Sequence, residues 1–182
     1  LTPYSGMLPG WIAGYYDVAD SHISLTDLTR FARVRFVKSS VTGLDLAART
    51  AHLADGSELK FDIVSIDIGS TPPIAHIKGA GLHAKSVKPV GEFVTWVENL
   101  HKQVANGEVS RVAVVGGGAA GAEVMLALRH RLIRRRVSQS TKFCLITDTP
   151  MILPNHNPRA RRLFERLFED REIEVVTGSP VQ

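Results

Sequence analysis

Apolar positions along the chain change period several times, and each change marks an element. Val90, Phe93, Val94, Val97, Leu100 and Val104 form the clearest helical stripe, predicting a helix within Val87–Val104. Pro89 suits its first helical position and Asn106-Gly107 stops it. A shorter helix is predicted over Ser24–Ala32, where Ser24 and Asp27 make a capping-box-like start and Leu25, Leu28 and Phe31 share a face. From Arg33 the pattern turns to β. Short runs at Val34, Phe36 and Val41, then Thr50–Leu53, a hairpin signal at Asp55-Gly56 and an apolar run within Leu59–Ile68 predict a small antiparallel meander. It feeds a buried strand expected at Asp62–Ile68, which ends in Gly69-Ser70-Thr71-Pro72-Pro73. The opening, LTPYSGMLPGWIAGYY, has neither period and is expected to be a loop packed on something.

The second half has the order strand, glycine turn, helix, strand, helix, strand. Ser110–Val115 runs into Gly116-Gly117-Gly118-Ala119-Ala120-Gly121, and good helix formers follow, with Val124, Leu128 and Leu132 on one face. A polar link at Ser138–Thr141 leads to a strand at Lys142–Thr147. Asn157 reads as an N-cap before Pro158; Ala160, Leu163, Phe164, Leu167 and Phe168 then repeat at helical spacing, and Ile173–Val176 is a last strand. This is the pattern of one mononucleotide-binding half of a doubly wound α/β fold with a parallel sheet. In that setting the glycines acquire mechanical roles: Gly116 for the tight turn, Gly118 for close approach of a pyrophosphate, Gly121 for close packing of helix on strand. No lysine lies in the loop, so the anion would be held by backbone amides and a helix dipole worth about 0.3–1 kcal/mol, or about 2 when partly buried. A glycine-rich turn in some other α/β domain is the bland alternative.

Composition narrows the function classes. The 182 residues are 44% hydrophobic and 22% charged, enough for one domain or parts of two. A single cysteine, Cys144, excludes a disulfide framework, a CxxC redox pair and a cysteine metal site within the chain; its mid-strand place suits core rather than nucleophile. The histidines at 22, 52, 76, 83, 101, 130 and 156 show no paired ligand spacing, so no metal is expected. Glycines and Glu123 interrupt the most apolar window, which falls short of the about 20 residues of a membrane span. The net charge of +4 comes largely from Arg129–Arg136, where cations complement the helix dipole; contact with anionic lipid or a partner is the alternative. Without interleaved aromatics, nucleic acid is not expected as a partner.

Two longer stretches carry a resemblance. DGSELKFDIVSIDIGSTPP, Asp55–Pro73, resembles the strand and Gly-Ser turn that meet the flavin nucleotide in two-dinucleotide-binding-domain flavoproteins, and the Gly116 motif resembles their NAD(P) site. Thr2-Pro3-Tyr4-Ser5-Gly6-Met7-Leu8-Pro9-Gly10 with Ala13-Gly14, followed by Ser65-Ile66-Asp67-Ile68-Gly69-Ser70, resembles the NADH dehydrogenase-like pyridine nucleotide-disulfide oxidoreductases, above all the flavoprotein module fused to selenide, water dikinase. The resemblance implies a truncated member of that fold: a partial FAD-binding domain at 1–86, a connecting helix at 87–109, and the first half of an NAD(P)-binding Rossmann domain at 110–182.

The same resemblance places residues. Gly116, Gly117, Gly118, Ala119, Ala120 and Gly121 would hold the NAD pyrophosphate, and Glu123 would lie near the nicotinamide or simply favour the helix dipole. Met7, Leu8 and Pro9 would lie near the flavin ring, and Val41 and Gly69 would approach the FAD nucleotide, with core or turn packing as the plainer role for all five. Where an acid usually reads the ribose, this chain has Thr147 and then Asp148, 31 and 32 residues after Gly116 against the usual roughly 20. No Lys or Arg follows until Arg159, which favours NADH over NADPH. The implied activity is hydride transfer from NADH to FAD and on to an external acceptor: a quinone, a selenium or sulfur species, or a protein. That step requires no side-chain acid, base or nucleophile, so no catalytic residue is nominated. The implied setting is cytoplasmic, with peripheral membrane contact and a homodimer left open. A non-catalytic NAD(H)-binding or sensing module is the alternative, and FAD on the Gly116 loop a third reading.

Overall fold

The structure is a computed structural model that describes residues 2–72, 74, 77–134 and 140–181. Leu1, Pro73, His76 and the stretch 135–139, which holds the end of the basic run and the start of the polar link, lie outside the described residues. In chain order the elements are β1 (Thr2–Pro3), α1 (Leu8–Ala13), β2 (His22–Ile23), α2 (Leu25–Phe31), β3 (Val41–Asp45), β4 (Thr50–Leu53) and β5 (Glu58–Lys60). They continue with α3 (Ala80–His83), α4 (Val90–Ala105), β6 (Arg111–Val115), α5 (Ala119–Arg134), β7 (Lys142–Ile146), α6 (Pro158–Glu169) and β8 (Ile173–Val176). The chain forms two compact units, one of Leu1–Thr2 and Ile23–Ser70, the other of Pro3–His22 and Thr71–Gln182.

The first unit is built on the antiparallel meander β3-β4-β5, with Leu44 opposite Ala51 and Ala51 opposite Leu59. Its turn is held by Asp55, whose Oδ1 accepts from the Ser57 amide at 3.0 Å and the Ser57 hydroxyl at 2.6 Å. Ser24 caps α2 by accepting from the Asp27 amide at 3.3 Å, as its spacing predicts. The buried strand expected at Asp62–Ile68 does not form: Ile63 and Ile68 are 91% and 89% exposed. Apolar, β-branched sequence favours extended backbone, but a strand also needs a ladder partner. The meander ends at Lys60, and no described strand pairs beyond it.

The second unit holds the parallel sheet β6-β7-β8, in register at Val112–Phe143, Ala113–Cys144 and Leu145–Val175. α5 and α6 make the two crossovers that parallel strands require. Val124, Leu128 and Leu132 of α5 are buried together with Phe93, Val97, Leu100 and Val104 of α4, so both predicted stripes face the core. Asn157 caps α6, its Oδ1 accepting from the Ala160 amide at 2.9 Å. Its stripe is less buried than the periodicity suggests: Phe168 is covered but Leu163 remains 47% exposed. The opening segment departs from the expected loop. A 3₁₀ turn at Ser5–Met7 runs into α1, whose Leu8, Trp11, Ile12 and Ala13 are buried. Pro9 and Gly10 hide this helix from a periodicity scan, because its stability comes from packing on α5 rather than from propensity.

Candidate dinucleotide-binding site

Each glycine of the loop has a distinct environment. Gly116 turns the chain off β6 with φ +117°, and its amide donates to the Ile146 carbonyl at 2.8 Å. At Gly121 a Cβ would overlap the Gly116 carbonyl oxygen, so only glycine lets α5 start this close to the strand end. At Gly118 a Cβ would meet nothing within 4 Å, and the residue is exposed. The loop is therefore closed on its protein side and open on the other. The first intrahelical bond of α5 runs from the Ala122 amide to the Gly118 carbonyl at 3.0 Å. The preceding amides have no partner within the helix. They present the donors and the positive dipole end that suit a pyrophosphate, with Ala120 exposed and Ala119 half-buried beside them.

The far wall belongs to the end of β7. Gly117 is buried against Thr147; a Cβ there would sit 2.8 Å from the Thr147 Cβ and Oγ1. Thr147 is 3% exposed, and its hydroxyl lies 2.8 Å from that of Thr149. It therefore packs behind the loop, while Asp148, one step on, is exposed. Sequence reasoning missed Leu153. Its amide donates to the Gly117 carbonyl at 2.7 Å, from a backbone at φ +51° that a bulky residue seldom adopts. A leucine before a proline gives no signal of that role.

Glu123 is exposed just beyond the first turn of α5, on a groove that Pro9 and Gly10 of α1 also line. The remaining expected residues are spread over both units. In the second, Met7 and Pro9 are half-buried, whereas Leu8 belongs to the core. In the first, Val41 is 58% exposed and Gly69 is exposed. Cys144 is buried in β7, and burial, followed by the nearby Glu174 carboxylate, raises its thiol pKa, which keeps it from acting as a nucleophile.

Sequence reasoning also missed Arg131. Its guanidinium donates to the Trp11 and Ile12 carbonyls at 3.3 and 3.4 Å, pairs with Glu98 at 2.7 Å, and stands 5.3 Å from the Trp11 ring centroid. It thereby ties the end of α1 and the middle of α4 to the glycine-loop helix. Within the basic run only its sequence neighbours hinted at charge, and nothing distinguished the buried member.

A parallel sheet whose first strand turns through GxGxxG into its first helix, with an open Gly118 and a packed Gly121, defines the mononucleotide-binding half of a dinucleotide-binding protein. The chain belongs to the pyridine nucleotide-disulphide oxidoreductase family, which matches residues 4–182. It is 23% identical over 141 residues, 77% of the chain, to apoptosis-inducing factor homolog B of Dictyostelium discoideum. Among solved structures it resembles the sulfide:quinone oxidoreductase of Aquifex aeolicus, with TM-score 0.77, 19% identity and 97% of the chain covered. It also resembles a NAD-dependent persulfide reductase from A. fulgidus, with TM-score 0.78, 17% identity and 96% covered. The chain spans 35% of the first protein, 42% of the second and 32% of the third, well under half the length of each. FAD and NAD(H) are cofactors consistent with this family. No described helix is long and apolar enough to cross a membrane.

Proposed function

We propose that the chain is part of an FAD-dependent, NADH dehydrogenase-like oxidoreductase that takes hydride from NADH and passes electrons through FAD to an external acceptor. The observation that carries the reading is the pairing of an open Gly118 with a Gly121 that admits no side chain, beside exposed helix-start amides. Gly116–Gly121 would hold the pyrophosphate by its amides, and Asp148 the adenosine ribose. Thr147 and Leu153 would keep the loop in shape from behind. Bound NADH would supply the hydride, and this chain's residues would supply position and electrostatics. The exposed Asp148, with no cation before Arg159, disfavours a 2′-phosphate and so favours NADH over NADPH. Met7 and Pro9 are proposed as FAD contacts, and Val41 and Gly69 are separately proposed as FAD contacts. The acceptor is of the quinone, selenium, sulfur or protein class, and the fold does not choose among them. A selenium species is included in this proposal because the opening motif Thr2–Gly10 resembles, by sequence alone, the module fused to selenide, water dikinase.

Calorimetric titration of NADH, NADPH and FAD into the purified chain tests the assignment. Saturable NADH binding, weaker NADPH binding and loss of both in Gly118→Val are expected. Tighter FAD binding that Gly118→Val abolishes would overturn it.

A further inference from the structure

Within the second unit, the outer face of α5 forms one wall of a groove of about 310 Å³, closed by α1 on one side and the end of α6 on the other. That size lies at the small end of the about 300–1,000 Å³ typical of small-molecule sites. Its middle is apolar and shallow-sided: Pro9, Gly10 and Ala13 face Leu126, Ala127 and Leu167. Its two ends differ in charge. Glu123 lies at one, and His130 and Arg171 lie at the other. Glu123 and His130 are seven residues apart on one helix, about 10 Å at 1.5 Å per residue.

At the basic end Glu172 is the carboxylate that acts on Arg129, and it does so from beyond ion-pair distance. The Arg171 guanidinium, just past the end of α6, is half-buried and among the described residues donates to the Leu167 carbonyl at 3.4 Å. Among the described residues no carboxylate lies within ion-pair distance of Arg129, Arg134 or Arg171. His130 lies beside this cluster, its Nε2 3.1 Å from the Tyr15 hydroxyl and the two rings 5.3 Å apart. Burial, then the Arg134 and Arg171 charges, hold the imidazole pKa below its usual value. Half-exposed arginines that make no ion pair offer charge-assisted donors to an anion lying along the apolar trough.

We propose that this groove binds a small organic anion, a carboxylate on a short apolar chain, with the carboxylate at Arg171 and His130 and the chain along Ala13, Ala127 and Leu167. The Arg171 fork matches the two carboxylate oxygens, and the Tyr15–His130 pair supplies a further donor on the same side. Glu123 at the opposite end repels the head group and so fixes the direction in which the chain lies. The groove shares Pro9 and Glu123 with the expected cofactor contacts, but none of the residues from 116 to 121 lines it.

Titration of the purified chain with octanoate, 1-octanol and octylamine, followed by calorimetry and by the His130 imidazole resonances, tests this. Octanoate is expected to bind about tenfold or more tightly than the alcohol or the amine, as one charge-assisted contact provides. It should also raise the His130 pKa, because a carboxylate there offsets the arginines, with Tyr15, Arg134 and Arg171 as the other groups facing the ring. Arg171→Gln should lose that preference, and Leu126→Glu, which puts a carboxylate in a half-exposed place on the groove wall, should abolish octanoate binding. Should Arg171→Gln fail to fold by circular dichroism, Leu126→Glu carries the test alone. Equal binding of octanol and octanoate, or octanoate binding unchanged in either folded variant, would overturn the proposal. Gly118→Val should leave octanoate binding intact while removing NADH binding, so failure of one assignment is separable from failure of the other.

Discussion

Replacing Gly121 with alanine should cost stability at a place where alanine in a helix ordinarily adds it. An exposed helical glycine exchanged for alanine gains about 0.5–1 kcal/mol, because the unfolded chain loses freedom. At Gly121 the new carbon falls on the Gly116 carbonyl oxygen, with the Val114 Cγ1 at 3.6 Å beyond it. The obstacle is backbone, so relief requires the start of α5 to withdraw from β6. Overpacking of this kind costs about 1–3 kcal/mol, which leaves a net loss of up to about 2.5 kcal/mol after the helix gain. At about 2–4 °C per kcal/mol for a chain of this size, the midpoint falls by up to about 10 °C. Gly91 in the first turn of α4 is the control: a Cβ there meets nothing within 4 Å, so Gly91→Ala should hold or raise the midpoint. Both tryptophans, Trp11 and Trp96, lie in the second unit, so their fluorescence follows the unfolding of the part that contains the loop. A Gly121→Ala midpoint equal to that of Gly91→Ala would refute the close-packing argument.

Arg131→Ala should destabilise the second unit by about 2–4 kcal/mol in urea unfolding, since it removes two bonds to carbonyls at the end of α1, a stem packed in the core and the partner of a half-exposed Glu98. A loss below about 0.5 kcal/mol would show that α1 does not depend on it. Asn157→Ala should cost about 1 kcal/mol by leaving the Ala160 amide without its cap, and Asn157→Asp should restore it. The depressed pKa of His130 means that the unfolded chain binds the proton more readily than the folded one. Its contribution to stability is therefore complete above the ordinary value of 6.5 and declines as pH falls from there through the lowered folded value. The stability difference between the wild type and His130→Gln, measured across that window, should change in that direction; a difference independent of pH would show that the imidazole titrates normally.

The loop and its fold were legible in local sequence because both depend on local constraints. Gly116 needs a positive φ and Gly121 an absent side chain, and neither demand involves distant residues. The α4 and α5 stripes, the Ser24 and Asn157 caps and the Asp55-Gly56 turn are likewise fixed within a few residues. The amino-acid order alone thus determined a parallel mononucleotide-binding half and a separate antiparallel meander.

Tertiary structure decided the rest, wherever an outcome depended on a partner far along the chain. Asp62–Ile68 has strand-forming residues but no ladder partner among the described strands, so its sequence preference is not realised. The opening segment lacks helical periodicity, yet α5 gives its apolar side chains a surface and turns it into α1. Arg131 looks like its basic neighbours until the end of α1 and the middle of α4 meet it. Thr147 stands where a ribose contact was expected, and only the approach of Gly117 and Thr149 makes it a support and leaves Asp148 exposed. Backbone conformation and helix phase are set by neighbours in sequence; burial, pairing and the free face of a side chain are set by neighbours in space.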